Sequence, residues 1–405
     1  MPAELFKVVY IIYNTHSIIP PPVTTSGDKV MMKRNLVAGG IVLLTIVIAG
    51  TLILNNSPTG LFALNPAGEE TEISGLLTMS GSMAIYGETM KNGMELAIEE
   101  VNLEGKIKLK GTYYDTKADP KEAITILNSI NSCCTTAAGS GPILAEGPVA
   151  DQKKILVMNL GAKTPAISTA GDYVFSVIPN STYDEKIFAE YVKNELKLTK
   201  IAILEINNDY GIGTVKAFSE NYIALGGEIL TTEKYEAEAT DFKTQLTKIK
   251  ETNPEGLFIV GYKELGIAMK QIKELGISAQ LIAPDAISSA GILELAGESA
   301  NGLIYNMPEY DPSTTKEPTK SFVEAYTKKY NKAPDLYAAN AYDTVMLYAK
   351  AIREVGNNSE KIKNWLYNTK GYQGVSGEIT FDSNGDVKKP VTIMQVQNQK
   401  SARIK

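Results

Sequence analysis

The chemistry open to this chain is set first by what it lacks. Its one histidine, His16, lies ahead of a long apolar run. The large domain that follows therefore has no material for a Ser/His/Asp or Cys/His nucleophile or a histidine-ligated metal site. The two cysteines, Cys133 and Cys134, are adjacent in sequence. Neighbours rarely reach disulfide geometry, so the pair reads as small buried residues with no disulfide framework. These absences point away from an enzyme, a metal or a cofactor. Binding chemistry remains. In ISGLLTMSGSMAIYGETMKNGMELAIEEVN (Ile73 to Asn102), a loop with Gly81, Ser82 and Gly87 joins a strand to a helix. Free N–H groups and the positive helix end converge there, which suits an anion such as a carboxylate. Tyr86 sits at the lip of that spot. The plain alternative is an ordinary βα unit in which Tyr86 only packs at a turn.

The elements that carry these residues follow from periodicity. Ile73 to Thr78 reads as a strand, Met79 to Gly87 as a loop and Glu88 to Val101 as a helix. Met90, Met94, Ala97, Ile98 and Val101 make one apolar stripe on that helix. Pro120 opens the next helix with Asp119 as its cap. A buried strand is expected in Asn131 to Gly141, yet that stretch holds only small and polar residues. Ile155 to Leu160 is a strand that exits into Gly161 to Pro165. A second cycle starts at Lys200, where KIAILEI exits into NNDYGIG, followed by a helix from Thr214. Tyr210-Gly211 repeats the position of Tyr86-Gly87. Gly256 to Gly261 and Gln280 to Pro284 are further strands, the latter leading to Asp285. The last quarter is mostly helical. Strands at Glu378 to Phe381 and Val391 to Val396 close it, with Asp382 to Gly385 as their hairpin turn.

Strands alternating with helices imply an α/β fold with doubly wound parallel sheets. Two such runs imply two lobes. Ligands of such sheets bind at the carboxyl ends of strands, where Gly81-Ser82, Gly161 to Thr164, Tyr210 and Asp285 all fall. Asp285 also has a plain alternative, as the N-cap of a helix from Ile287 to Leu295.

Net charge is −6. No stripe of Lys/Arg interleaved with aromatics occurs, so no nucleic acid is expected as a partner. Leu36 to Leu54 carries no charge and is about 28 Å long as a helix, one hydrocarbon core. Lys33 and Arg34 precede it, and the next basic residue is Lys91. The positive-inside rule puts residues 1–35 in the cytoplasm and everything after residue 55 outside the cell. The run is a single-pass transmembrane anchor or a cleaved signal peptide, and its length favours the anchor. Met32-Lys33-Arg34-Asn35 has the form of a start, which makes the preceding tail a candidate mis-started segment. Residues 55–71 read as a linker.

Six stretches carry a resemblance. TMSGSMAIYGETMKNGMELAIEEVN, YYDTKADPKEAI, PVADQKKILVMNLGAKTPAIS, KIAILEINNDYGIGTVKAF, GLFIVGYKELGIAMKQIKELGI and SGEITFDSNGDV occur in this order over residues 73 to 397. They resemble the periplasmic solute-binding proteins for branched-chain amino acids, amides and urea. That resemblance implies two lobes with a hinge, 72–179 plus 309–376 and 180–308 plus 377–397, closing on one ligand. It implies capture of a small polar solute, an amino acid of branched-chain type first, with amides or urea behind it, and delivery to ABC permease subunits. Tyr86 matches the family's Tyr-Gly lip, and Ser140 a serine that binds the ligand carboxylate. Gly161, Ala162 and Thr164 match a loop offering N–H and hydroxyl groups. Tyr210 matches a tyrosine of the far lobe, and Asp285 the acid that receives the ligand's ammonium. Lys163 departs from the pattern; it pairs with a ligand carboxylate or points to solvent. The alternative function is a sensor ectodomain working with a signalling partner. An enzyme such as an amidase lacks a visible nucleophile–base pair.

Overall fold

A computed structural model describes residues 70–405. The expected anchor at 36–54, the tail before it and most of the linker lie outside the described residues. No described helix is long and apolar enough to cross a membrane.

Two parallel sheets organise the chain. The first has the order β2-β1-β3-β4-β5, from β1 (Thr71–Leu77), β2 (Leu109–Asp115), β3 (Cys134–Ala137), β4 (Leu156–Asn159) and β5 (Val174–Ser176). The second contains β6 (Lys200–Ile206), β7 (Glu228–Tyr235), β8 (Gly256–Val260), β9 (Gln280–Ala283) and β10 (Ile304–Pro308) in the matching order β7-β6-β8-β9-β10. In both, strand order reverses beside the first strand of the cycle, which creates a crevice at the strand carboxyl ends. β13 (Val391–Gln397) and β14 (Lys400–Arg403) extend the second sheet past β10 as antiparallel strands.

Helices cover the faces. α1 (Ala84–Glu104), α2 (Pro120–Ser129) and α3 (Ser140–Lys153) follow β1, β2 and β3. Asp119 caps α2, accepting from Lys121 N at 2.7 Å and Glu122 N at 3.0 Å, with Pro120 at its first position. α4 (Ser181–Asn194) follows β5, and α5 (Asp209–Ala224), α6 (Lys243–Glu251), α7 (Leu265–Glu274) and α8 (Ala290–Ala296) belong to the second cycle. After β10 the chain returns through α9 (Thr319–Tyr330), α10 (Leu336–Val355) and α11 (Ser359–Tyr367). α10 packs along α1, and Tyr348 on it donates to Thr135 O at 2.9 Å.

The illegible stretch is β3, the central strand of its sheet. Its polar side chains are satisfied inside: Thr135 Oγ1 donates to Leu156 O at 2.8 Å. Small residues there leave room for α10 above.

Four expectations are corrected. α1 begins at Ala84 and α5 at Asp209, so both Tyr-Gly pairs lie in first helical turns and not in loops. A Cβ on Gly87 would lie 2.1 Å from Thr78 O, and one on Gly211 would lie 2.0 Å from Ile206 O. The glycines serve close approach of each helix to the strand before it. Residues 378–381 and 391–396 are not hairpin partners, because β12 (Gly377–Ile379) pairs with β11 (Tyr372–Gly374) while β13 completes the second sheet. Cys133 and Cys134 are joined as a vicinal disulfide. Cys133 lies in a bend just ahead of β3, so strand alternation does not force the two side chains apart.

Candidate functional site

The strand exits of both sheets meet at one cavity, the place where parallel sheets of this kind take ligands. From the first sheet come Met83, Tyr86 and Met90 after β1, Ala138, Gly139 and Ser140 after β3, and Gly161, Ala162 and Lys163 after β4. The second sheet supplies Tyr210 after β6, Tyr262 after β8, and Asp285 and Ala286 after β9. Tyr337, from the first turn of α10, completes the lining.

Six of the seven expected residues therefore line one space. Thr164 does not. It is buried beside the cavity, where its side chain faces Gly213 at the start of α5 and its N–H lies 3.5 Å from Ser140 Oγ. Thr164 precedes Pro165 and a 3₁₀ turn (Pro165–Thr169), which directs it away from the opening.

The Gly161–Ala162 loop has a different chemistry from that expected. Asn159 Oδ1 accepts from Gly161 N at 3.0 Å and Ala162 N at 2.7 Å, so both N–H groups are already engaged. The Asn159 amide also donates to Ala162 O at 2.8 Å and to Ser176 Oγ at 3.1 Å. The loop is thus pinned in shape by its own strand. Free amides are offered by α3, whose first N–H groups at Ser140 and Gly141 have no intrahelical partner.

Lys163 neither points to solvent nor stands free. It is 2 % exposed and hydrogen-bonds the carboxylate of Asp184 on α4. Its Nζ lies 3.4 Å from Asp285 Oδ2, an ion pair without hydrogen-bond geometry. Burial opposes the ammonium charge, but the fields of Asp184 and Asp285 outweigh it and raise the lysine pKa. Burial pushes Asp184 up to about 6, against the pull of Lys163. Next to it, burial pushes Glu185 up to about 8, so this carboxyl is mostly protonated at neutral pH. Asp285 is no N-cap; it opens a 3₁₀ turn (Asp285–Ser288) without a capping hydrogen bond. Both of its carboxylate oxygens are buried and unpartnered, as is the Tyr210 hydroxyl.

Four tyrosines line the cavity with this acid. Tyr210 stacks on Tyr262 with centroids 5.2 Å apart, and Tyr86 meets Tyr337 edge-on at 5.0 Å. Tyr86 Oη donates to Ala286 O at 2.7 Å, a direct bond between elements of the two sheets. Burial raises the pKa of Tyr86 and Tyr210 well above the usual phenol value, so both stay neutral.

Tyr262, Tyr337, Met83 and Asp184 were missed in the sequence. Tyr262 follows the β8 exit, so the strand-exit rule could have found it. Tyr337 follows a helix, where that rule is silent.

Comparison with known proteins adds a second line of observation. A family model described as periplasmic binding protein matches residues 70–401. The leucine-, isoleucine-, valine-, threonine- and alanine-binding protein of Pseudomonas aeruginosa is 24 % identical over 342 residues, 81 % of this chain and 90 % of that protein. The Leu/Ile/Val-binding protein of Escherichia coli K12 is 24 % identical over 351 residues, 84 % of this chain and 94 % of that protein. Among solved structures, LivJ of Streptococcus pneumoniae, in complex with isoleucine, is 27 % identical with a TM-score of 0.76, covering 83 % of this chain and 99 % of that one.

Proposed function

This chain belongs to the periplasmic binding protein family, and from that premise we propose that it captures an amino acid of branched-chain type by cleft closure and presents it to an ABC permease. The observation that carries this reading is the Asp285 carboxylate, buried in the cavity with both oxygens unpartnered. A buried acceptor of that kind calls for a charged donor, and a ligand ammonium is one. The N-terminus of α3, across the same lining, suits the ligand carboxylate. Met83, Met90, Ala138, Ala162 and the tyrosine rings offer an apolar body for the side chain. Ligand groups held from both sheets link binding to closure. The names of the Pseudomonas and Escherichia relatives and the isoleucine in LivJ support the same ligand class. Ligand contacts are assigned to Tyr86, Ser140, Tyr210 and Asp285, with Gly161 and Ala162 as the shaped wall.

Residues 36–54 hold the domain at the outer face of the cell membrane in this reading, on the basis of their sequence alone. The test is calorimetric titration of the full chain with leucine, isoleucine, valine, short amides and urea. Leucine-type amino acids are expected to bind. Asp285→Asn should weaken them by about 2–5 kcal/mol, the cost of breaking a buried charged contact. Binding of urea or amides alone, or no binding to any of these, would refute the reading.

A further inference from the structure

We propose that Lys163 determines the charge class of the ligand: it supplies one of the two positive charges that the paired carboxylates Asp184 and Asp285 require, so the site takes ligands bearing a single ammonium group. This inference rests on the reading of Asp285 as the ammonium acceptor.

The charge count comes from the groups ion-paired with Lys163. Two carboxylates, Asp184 and Asp285, face one cation, Lys163, and all three side chains are 3 % exposed or less. Lys163 spends its hydrogen bond on Asp184. Asp285 receives only its field, and both Asp285 oxygens remain without a donor, as does Asp184 Oδ1. The neighbouring groups do not close the gap. Glu185 accepts from Asn306 Nδ2 at 3.2 Å and is largely neutral. Lys389 is held elsewhere, donating to Ser376 Oγ at 2.8 Å and Ser376 O at 3.1 Å, beside the Asp343 carboxylate that also accepts from Ser376 Oγ at 2.6 Å. One cationic place is therefore open. A ligand without an ammonium leaves both buried Asp285 oxygens without a hydrogen-bond donor. A ligand with two ammonium groups sets its second charge against Lys163.

Without Lys163, Asp184 loses the cation that opposes the effect of its burial, and a second ligand ammonium would be the group able to take that place beside Asp184 and Asp285. The matched probes are 2-aminobutyrate, with one ammonium, and 2,4-diaminobutyrate, with two, titrated calorimetrically into the full chain. The wild-type protein is expected to prefer 2-aminobutyrate by about tenfold or more, since like charges in a buried site cost several kcal/mol. Lys163→Met is expected to reverse that order, and Lys163→Met/Asp184→Asn to restore it. The double variant replaces the buried ion pair by neutral groups. It keeps the test open if the single variant does not fold: it must still prefer the monoammonium probe, because Asp285 is the one member of the three that remains. An unchanged preference in Lys163→Met, or loss of preference in the double variant, overturns the role of Lys163. A separate titration compares leucine with 4-methyl-2-oxopentanoate, its analogue without the ammonium. Equal binding of those two by the wild-type protein overturns the Asp285 reading itself.

Discussion

Removing one hydroxyl, in Tyr86→Phe, measures how much of ligand binding is closure. Tyr86 belongs to α1 on the first sheet, and its hydroxyl donates to the carbonyl of Ala286, beyond β9 of the second sheet, at 2.7 Å. Phenylalanine retains the ring and its edge contacts with Tyr337 at 5.0 Å and Tyr262 at 6.1 Å. The loss is one buried hydrogen bond, with the Ala286 carbonyl left unpaired. Such an unpaired acceptor costs about 1–3 kcal/mol, or roughly 5- to 150-fold in affinity. Because the bond joins elements of different sheets, the proposed closure assigns its loss to the closed complex. Leucine titration at 25 °C should show that weakening. Thermal unfolding without leucine should move little, since the ring of residue 86 stays packed against Tyr337 and Tyr262. An unchanged dissociation constant together with a lowered melting temperature would refute this account. The bond would then be a permanent part of the fold rather than of closure.

Two further outcomes follow from buried groups. Gly87→Ala and Gly211→Ala each place a methyl within 2.1 Å of a strand carbonyl. Overpacking of that kind costs about 1–3 kcal/mol or more, and urea titration of each variant should show a lower midpoint with an unchanged slope. Glu146 on α3 is buried with both carboxylate oxygens unpartnered, and burial pushes its pKa up to about 8. Its folded-state pKa lies above the unfolded value, so its penalty is absent at acid pH and grows as pH rises from about 4.5 towards 8. Glu146→Gln should therefore gain stability relative to wild type across that window, by up to about 1.4 kcal/mol per pH unit. A constant difference in melting temperature between pH 5 and pH 8 would contradict this.

Sequence patterning carried the architecture and most of the cavity, because strand exits are local features. Tyr86 and Tyr210 were visible as a repeated Tyr-Gly pair, and Asp285 as the residue ending a short strand. The glycines beside those tyrosines read as loop residues, whereas contact with the preceding strand places them inside helices. Lys163 was not legible because its partners come from α4 and from the β9 exit, and nothing local announces an ion pair. Nor does periodicity show that the Asn159 side chain consumes the amides of Gly161 and Ala162. The pairing of β13 with β10 is equally non-local, and the turn-like DSNG stretch drew attention to the wrong partner.

The two Tyr-Gly pairs separate what can be re-engineered in this protein from what cannot. Each glycine fixes the azimuth of its helix against a strand carbonyl, and each tyrosine inherits its aim from that contact. Residues 86–87 and 210–211 form the rigid frame of a sensor scaffold. Met83, Met90 and Tyr337 line the same cavity outside those contacts. Libraries that vary these three positions and spare the pairs should change which side chain is accepted while keeping the closing motion, and with it any optical signal coupled to that motion.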